Sequence, residues 1–304
     1  MFDHRVWPKG GEPPGPVDKD SLFSSLPPEW PEAGLLAEIR DSLRRAGRKL
    51  VVLDDDPLGT QATHGVLVAT AWDEDTLSAA LQAEGEIFYL ITNSRSLSQG
   101  QAAELSRTIA RRLYRLGRRR GRDLTLLCRS DSTLRGHYPA EVEALNAVRE
   151  AELGRGYDGV ILAPFMWEAG LLRTSDVQWV EEGGCLIPAA QSQYAKDPVF
   201  AYCHSNLPLW IEEKQKGQVQ AKEVKTISLE DIRRGGPNRV AALLSEVKGG
   251  RSMVLNAASY RDLEVAVAGL TRAEELGKDF LSWTAASFIR VRSGGAARPL
   301  LARR

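Results

Sequence analysis

Short apolar runs alternate with stretches of helical periodicity through the middle of the chain. The apolar or β-branched runs predict strands at residues 50–53, 66–70, 87–92, 124–128, 159–163 and 253–256. The stretches between them predict helices near residues 74–83, 99–121, 139–152, 198–215, 229–247 and 260–277. This alternation is typical of a mostly parallel sheet flanked by helices. We therefore predict an α/β fold with a substrate crevice at the C-terminal ends of the strands.

Changes in composition divide the chain into three parts. Residues 1–33 are rich in Pro and Gly, which predicts an irregular lead-in across the surface of the domain. Residues 34–292 are predicted to form one α/β domain, which begins with a helix whose apolar positions recur over residues 35–43. Residues 293–304 end in Gly, Ala, Pro and Arg, a composition typical of a linker.

Composition and charge exclude several classes of protein. Lys and Arg total 40 and Asp and Glu total 40, so no global attraction to nucleic acid or to an anionic membrane is expected. The three cysteines form no CxxC pair, and there is neither a signal peptide nor a membrane span, so we expect a cytoplasmic protein. The absence of a GxxxxGK[ST] motif excludes a P-loop kinase.

Three carboxylates follow the first predicted strand directly. Asp54, Asp55 and Asp56 stand at the C-terminal end of a strand, where ligands gather in open α/β sheets. Crowded like charges are costly unless a cation, hydrogen bonds or a substrate hydroxyl offsets them, which favours a functional role for at least one of them. The alternative is a solvated turn.

Polar residues also follow the strands near residues 91 and 128. Asn93, Ser94 and Arg95 present hydrogen-bond donors, although a helix cap and a surface ion pair would explain them equally well. The loop at 128–141 is denser, because guanidinium groups bind carboxylates or phosphates and hydroxyls suit a polyhydroxylated ligand. Its alternative is a capped loop that contains a structural histidine. Its polar residues are Arg129, Asp131, Ser132, Thr133, Arg135 and His137.

Two other signals carry less weight. The GxGxxG string at residues 154–159 precedes its strand, whereas a dinucleotide-binding loop follows one, so a turn is favoured. Eight arginines lie between Arg107 and Arg122, with Tyr114 as the only interleaved aromatic residue. A solvated helix face is favoured over a nucleic-acid surface. No spacing typical of a metal site is present.

The three polar loops resemble, in their order and in their sequence motifs, the sugar-binding N-terminal domain of the four-carbon acid sugar kinases. The matching motifs are DDDP-x-GTQ from Asp54, TNSRSL from Thr92 and RSDSTLRGHYPAE from Arg129. The similarity continues through ILAPF, AKD, SNLPLWIEEK, SLEDIRRGGP, NAASYRDLEV and TAASFIRVR. It covers nearly all of residues 21–301.

The resemblance implies an ATP-dependent kinase that phosphorylates a hydroxyl of a threonate-, erythronate- or oxo-tetronate-like acid. In that family the N-terminal domain binds the acid, and a separate C-terminal domain binds ATP with Mg²⁺. By motif, Asp55 and Asp56 are the expected catalytic residues, and Arg135 with Arg95 is expected to hold the substrate carboxylate. The predicted substrate-binding residues are Asp55, Asp56, Arg95, Arg129, Asp131, Ser132 and Arg135.

The chain departs from the family pattern in several places. Leu58 replaces a Thr, Leu171 stands in place of a cationic residue, and residues 191–193 replace Glu-Thr-Glu. No phosphate-binding loop is evident before the chain stops at Arg304, so the isolated chain is expected to need a partner chain that carries the nucleotide-binding domain. The alternative is a catalytically inactive sugar-acid-binding relative or sensor. A homo-oligomer is compatible with either.

Overall fold

The computed structural model describes residues 11–13, 15–56 and 62–296, with an eight-stranded sheet at its centre. The sheet order is β10-β11-β6-β12-β5-β2-β4-β3, and every neighbouring pair is parallel. This confirms the predicted α/β fold. The strands are β1 (Val17–Asp18), β2 (Lys49–Asp54), β3 (Leu67–Ala69), β4 (Ile87–Ile91), β5 (Leu124–Arg129), β6 (Gly159–Ala163), β7 (Leu171–Thr174), β8 (Val177–Glu182), β9 (Cys185–Pro188), β10 (Lys225–Ile227), β11 (Arg251–Leu255) and β12 (Phe280–Thr284).

Helices cover both faces of this sheet. Successive strand residues point to opposite faces, so a parallel sheet that is covered on both sides is apolar at almost every position. Val51 packs in a core with α3, α4 and α5, whereas the adjacent Leu50 packs with α2 and α10. The helices are α1 (Lys19–Ser25), α2 (Leu35–Ala46), α3 (Glu74–Gln82), α4 (Gln99–Arg119), α5 (Ala140–Leu153), α6 (Leu207–Lys214), α7 (Leu229–Arg233), α8 (Gly236–Ser245), α9 (Tyr260–Glu275) and α10 (Ala286–Arg292).

A second sheet, which the sequence pattern did not predict, consists of β1, β9, β8 and β7. Its neighbouring strands are antiparallel. The strands are two to six residues long and lie in segments rich in turn-forming residues. The apolar pattern of each strand is therefore too short to be recognised in the sequence. Leu171, Val177 and Trp179 are buried in this sheet, and they join it to the cores on either side of the large sheet.

The described part of the lead-in contains a strand and a helix where an irregular segment was expected. Val17–Asp18 pairs with β9, and α1 follows directly, with the Asp18 carboxylate accepting a hydrogen bond from the Ser21 backbone N–H at 2.8 Å. Val17 and Leu22 are buried and anchor these two elements. The Pro- and Gly-rich composition concealed them because each has a single apolar anchor.

Two predicted helices differ from the structure. The helix expected over 198–215 begins only at Leu207, because residues 205 and 206 donate their backbone N–H groups to the Glu12 carboxylate and Asn206 caps the helix. The helix expected over 229–247 is divided into α7 and α8. Gly236 has φ of +64°, and a Cβ there would lie 2.5 Å from the Trp30 ring, so the chain must turn at this glycine.

All six predicted strands are present, and the large sheet contains two more, β10 and β12, of which β10 was not predicted. Residues 280–284, whose pattern suits a strand or a helix, form β12, a fully buried strand between β6 and β5. Residues 297–304, most of the expected linker, lie outside the described residues. Within the described part of the chain, no helix is long and apolar enough to cross a membrane.

Candidate ligand-binding site

The three polar loops follow β2, β4 and β5, which are neighbours in the sheet. Because the strands are parallel, their C-terminal ends open on the same edge. Backbone hydrogen bonds join the loops directly: the Asp55 N–H donates to the Arg129 carbonyl at 3.2 Å, and the Arg95 N–H donates to the Asp55 carbonyl at 3.4 Å. The structure therefore brings the three loops to one place.

Arg95 binds the carboxylates of the first loop. Its guanidinium donates to Asp55 in two places, from Nη2 to Oδ1 at 2.6 Å and from Nε to Oδ2 at 3.2 Å. Nη1 also lies 3.1 Å from Asp56 Oδ2. A short 3₁₀ turn, Ser94–Ser96, presents this side chain after Asn93 adopts φ of +50°. The charge of Arg95 is thus divided between two aspartates.

Arg129 lies beneath the same carboxylates at the end of β5. Its Nη1 is 3.6 Å from Asp54 Oδ1 and 3.9 Å from Asp55 Oδ1, distances that permit electrostatic attraction without a close hydrogen bond. The residue is buried, and its Nε has no hydrogen-bond partner among the described residues. Arg129 therefore acts on the carboxylates mainly through its charge.

Arg135 occupies the outer side of the third loop. Its Nε donates to Asp131 Oδ2 at 2.6 Å, and Nη1 lies 3.7 Å from Asp197 Oδ2. Its guanidinium also stands 5.3 Å from the centre of the Tyr194 ring, a cation–π contact. The side chain is 28% exposed, more than that of Arg95, and so remains within reach of a ligand.

Ser132 is the predicted site residue whose side chain lies apart from the others. Its hydroxyl faces the sulfur of Met166 at 3.9 Å, and its carbonyl accepts a hydrogen bond from Gln178 Nε2 at 2.9 Å. Gln178 belongs to β8, so the small antiparallel sheet holds the third loop from behind. Tyr202 adds a second support by donating to the Thr133 carbonyl at 2.8 Å.

Gly136 and His137 belong to the site by position, although their roles were not predicted. Gly136 has φ of +145°, and a Cβ there would lie 3.5 Å from Asp55 Oδ2, so the backbone of the third loop packs against that carboxylate. His137 is buried, and burial lowers its pKa, with opposing hydrogen bonds to the backbone of Leu97 and Ser94. The sequence Arg-Gly-His at residues 135–137, directly after the polar residues of the third loop, was the signal from which these roles could have been predicted.

Burial dominates the electrostatics of the first loop. It raises the pKa of Asp54 to about 7, against the attraction of Arg129. It also raises the pKa of Asp55 to about 6, although Arg95 favours the ionised form. The buried Glu141 adds a further negative charge nearby. Asp54 Oδ2 has no hydrogen-bond partner among the described residues, an environment that favours the protonated carboxyl.

The raised pKa of Asp54 predicts a dependence of stability on pH. A carboxyl whose pKa is higher in the folded than in the unfolded protein binds its proton preferentially when folded, so its contribution falls as pH rises through about 7. Between pH 6 and pH 8 this loss should be about 1.4 kcal/mol. Replacing Asp54 by Asn should remove this loss of stability.

Urea denaturation of the wild-type protein and Asp54→Asn at pH 6 and pH 8 checks this prediction. The difference between the two proteins cancels the titration of groups that do not interact with Asp54. We expect the variant to gain stability relative to the wild type at pH 8. An equal difference at both pH values would contradict a raised pKa, and Asp41→Asn, at an exposed position of α2, provides the control.

The residues at this edge do not form an evident metal site. Within the described ranges, no group of three or more His, Cys, Asp or Glu side chains is arranged to hold a metal ion. Arg95 and Arg129 already lie at ion-pair distance from the aspartates of the first loop, and Arg135 from Asp131 and Asp197. A divalent cation at these carboxylates would compete with the guanidinium groups.

The departures from the family pattern have different structural outcomes. Leu171 is buried in β7 and belongs to an apolar core, and the nearby Arg173 is fully buried, donating to the Leu162 carbonyl at 3.2 Å. Ser192 caps the turn that carries Tyr194. Leu58 lies outside the described residues.

The chain matches one family model over most of its length. That model is described as "Sugar-binding N-terminal domain", and it matches residues 50–292. The match includes all three loops. No curated protein sequence matches the chain.

Solved structures share the fold. A protein of Bordetella bronchiseptica, described as a domain of unknown function (DUF1537) with bound citrate in a domain-swapped dimer, is 20% identical with a TM-score of 0.61. A DUF1537 protein of Haemophilus influenzae is 17% identical with a TM-score of 0.60. Each alignment covers 81% of this chain and 57% of the other, so the chain spans a little over half the length of these proteins.

Proposed function

Because this chain belongs to the DUF1537 family of four-carbon acid sugar kinases, through its sugar-binding N-terminal domain, we propose that its three converging loops bind a small sugar acid. The observation that carries the proposal is the meeting of carboxylates and guanidinium groups at one edge of the sheet. Asp55 and Arg95 are paired, and the backbone beside Arg135 packs on the Asp55 carboxylate. A sugar acid offers the complementary groups, because its hydroxyls donate to carboxylates and its carboxylate accepts from guanidinium.

The exposure of each side chain and its ion pairs indicate which role each residue has in binding. Arg135 is proposed to bind the substrate carboxylate, since it is the more exposed cation. Arg95 is proposed to position Asp55 and Asp56, because its guanidinium is already bonded to Asp55 and close to Asp56. Asp56, at 29% side-chain exposure, is more accessible than Asp55 and is proposed to accept the proton of the reacting hydroxyl.

Citrate in the Bordetella relative supports a site for carboxylates. Citrate is a small hydroxy acid with several carboxylates, so it shares its functional groups with the sugar acids proposed here. Two different acids can use the same guanidinium groups, because recognition by an arginine fork depends on the planar carboxylate and not on the rest of the molecule.

We assign ATP and Mg²⁺ to a separate domain or partner chain. Phosphoryl transfer depends on positioning and charge neutralisation, and the aspartates at this edge leave the neutralisation of the transferred phosphoryl group to cations from elsewhere. The chain also contains no GxxxxGK[ST] loop. Its own part in the kinase reaction is therefore to bind the acid, orient one hydroxyl and hold a proton acceptor next to it.

Replacing Arg135 by alanine should weaken sugar-acid binding at least tenfold. A hydrogen bond to a charged group contributes about 1.5–3 kcal/mol, and each 1.4 kcal/mol is a factor of ten in affinity. Calorimetric titration with threonate, erythronate and citrate measures the change. Arg107→Ala, which removes an exposed arginine paired with Glu104, is the matched control. Unchanged affinity in Arg135→Ala would remove this role.

A second candidate is a sugar-acid-binding relative without kinase activity. It is favoured by Leu171, which is buried in the core where the family has a cationic residue. A mixing experiment separates the two functions: the chain is combined with the nucleotide-binding domain of a family member, MgATP and the acid that binds best. Phosphorylated acid would support the kinase, and binding without transfer would support the sensor.

A further inference from the structure

A polar cavity lies at the edge of the sheet opposite the three loops. It has a volume of about 350 Å³ and opens beside the N-terminal ends of β2, β5 and β12, next to the C-terminal ends of α4 and α5. Its size falls in the range of small-molecule sites. Five arginines line it, Arg48, Arg118, Arg122, Arg149 and Arg155, together with the acidic residues Asp123 and Asp279.

Arginine dominates the charge of this cavity. Asp279 is shared by three guanidinium groups, at 3.1 Å from Arg48, 2.8 Å from Arg149 and 2.7 Å from Arg155. One carboxylate neutralises only one of the three cations. Two of these arginines, Arg48 and Arg149, are mostly buried, so solvent screens their charges poorly.

The surrounding carboxylates do not balance the excess positive charge of the cavity. Glu152 pairs with both Arg115 and Arg118, and Glu86 lies 3.8 Å from Arg122. Asp123 also lines the cavity, so six arginines, Arg115 included, face the four carboxylates of Glu86, Asp123, Glu152 and Asp279. Two positive charges therefore remain for a ligand.

Arg149 gives an independent indication of a missing partner. Its side chain is 4% exposed, yet its Nε has no hydrogen-bond partner within the described chain. The Nε of Arg122, which also lines the cavity, is likewise without a described partner. Buried donors normally find acceptors, since an unsatisfied one costs about 1–3 kcal/mol.

A structural role alone explains only part of this cluster. Cations at a helix C-terminus interact favourably with the helix dipole, and Arg118 donates to the Glu152 carbonyl near the end of α5 at 2.9 Å. That interaction gives Arg118 a structural role when no ligand is bound. It does not account for the three arginines on Asp279 or for the Nε of Arg149, which has no hydrogen-bond partner among the described residues. The guanidinium carbon of Arg149 lies 4.6 Å from the centre of the Tyr157 ring.

We propose that this cavity binds the phosphoryl groups of a small molecule. Phosphate oxygens accept several guanidinium hydrogen bonds at once, and Arg118 and Arg155 are exposed enough to move onto a ligand. The cavity volume exceeds that of one phosphate ion, and Tyr114, Leu124 and Leu153 provide apolar walls. A diphosphate or a nucleotide therefore fits better than a single inorganic phosphate.

Calorimetric titration of the full chain with inorganic phosphate, pyrophosphate and ATP tests the proposal. We expect pyrophosphate to bind more tightly than phosphate, and Arg155→Ala and Arg118→Ala each to weaken its binding about tenfold. Arg155→Lys should retain part of the affinity because it keeps the charge. Tighter binding of ATP than of pyrophosphate would identify a nucleotide as the source of the phosphoryl group, and equal binding would identify the diphosphate alone.

Arg119→Ala is the matched control for Arg118→Ala. Arg119 is next in α4 and 63% exposed, against 59% for Arg118, but it pairs with Glu74 outside the cavity. The proposal is overturned if pyrophosphate does not bind, or if Arg119→Ala weakens binding as much as Arg118→Ala. Sugar-acid binding, measured on the same variants, should not change, so this result is independent of the result for Arg135.

Discussion

Replacement of Arg95 by alanine is expected to lower the free energy of unfolding by about 3–5 kcal/mol at pH 8, the cost of removing one partner of a buried ion pair. Asp55 would lose both guanidinium hydrogen bonds while its side chain stays 5% exposed. The neighbouring Asp54 is fully buried, so it would increase the repulsion. Urea denaturation measures the loss.

The loss should shrink as the pH is lowered. Burial raises the pKa of Asp55 to about 6 even with Arg95 present, and removing the cation raises it further. The folded variant then binds a proton that the unfolded chain does not, so its stability increases from pH 8 to pH 5.

Two comparisons make the Arg95 experiment specific. The double variant Asp55→Asn/Arg95→Ala should be more stable than Arg95→Ala at pH 8, because it contains no uncompensated charge at residue 55. Arg119→Ala, which breaks an exposed pair with Glu74, should change stability by less than about 1 kcal/mol. An Arg95→Ala effect no larger than this control would contradict the importance of the buried pair.

Truncation of Trp283 to alanine is expected to cost about 3–5 kcal/mol. Trp283 is 1% exposed in β12, and its ring lies 5.5 Å from that of Trp210 and 5.7 Å from that of Tyr138. It also adjoins Gly136, where a Cβ would lie 3.8 Å from the indole. The cavity left by truncation should therefore loosen the third loop as well as the core.

Trp283→Phe separates packing from hydrogen bonding. The indole Nε1 has no hydrogen-bond partner within the described residues, so losing this donor has no penalty, and most of the aromatic contact remains. We expect a loss below about 1.5 kcal/mol for Phe. Trp283→Ala should also weaken sugar-acid binding in calorimetry at a temperature where it is still folded. Similar stability of the Phe and Ala variants would show that the packing is not decisive.

These two variants complement Arg135→Ala. Arg95 and Trp283 support the site from inside, so their replacement lowers stability and binding together. Arg135 is partly exposed at the rim, so its replacement should lower binding with little change in stability. Measuring both quantities on each variant therefore distinguishes residues that contact the ligand from residues that position the loops.

The sequence alone determined six of the eight strands of the large sheet and the loops that carry the site. Each of these six strands is a local apolar run, and the flanking helices have a local periodicity, so both can be recognised within a window of a few residues. The polar-rich β10 was not predicted, and the pattern of β12 suited either a strand or a helix. The convergence of the loops followed from one rule, that parallel strands present their C-terminal ends on the same edge. Asp55, Arg95 and Arg135 were predicted to converge on this basis. Asp55 and Arg95 are paired in the structure, and Gly136, next to Arg135, packs against the Asp55 carboxylate.

Only the tertiary structure decided how these residues are paired. Arg95 bonds to an aspartate 40 positions earlier, and Gln178 supports a loop 46 positions earlier from a sheet whose strands are too short to detect. The arginine cavity likewise joins residues 48, 149, 155 and 279 around one carboxylate. Such partners are chosen by packing between distant segments, whereas a sequence pattern records only what each segment requires locally.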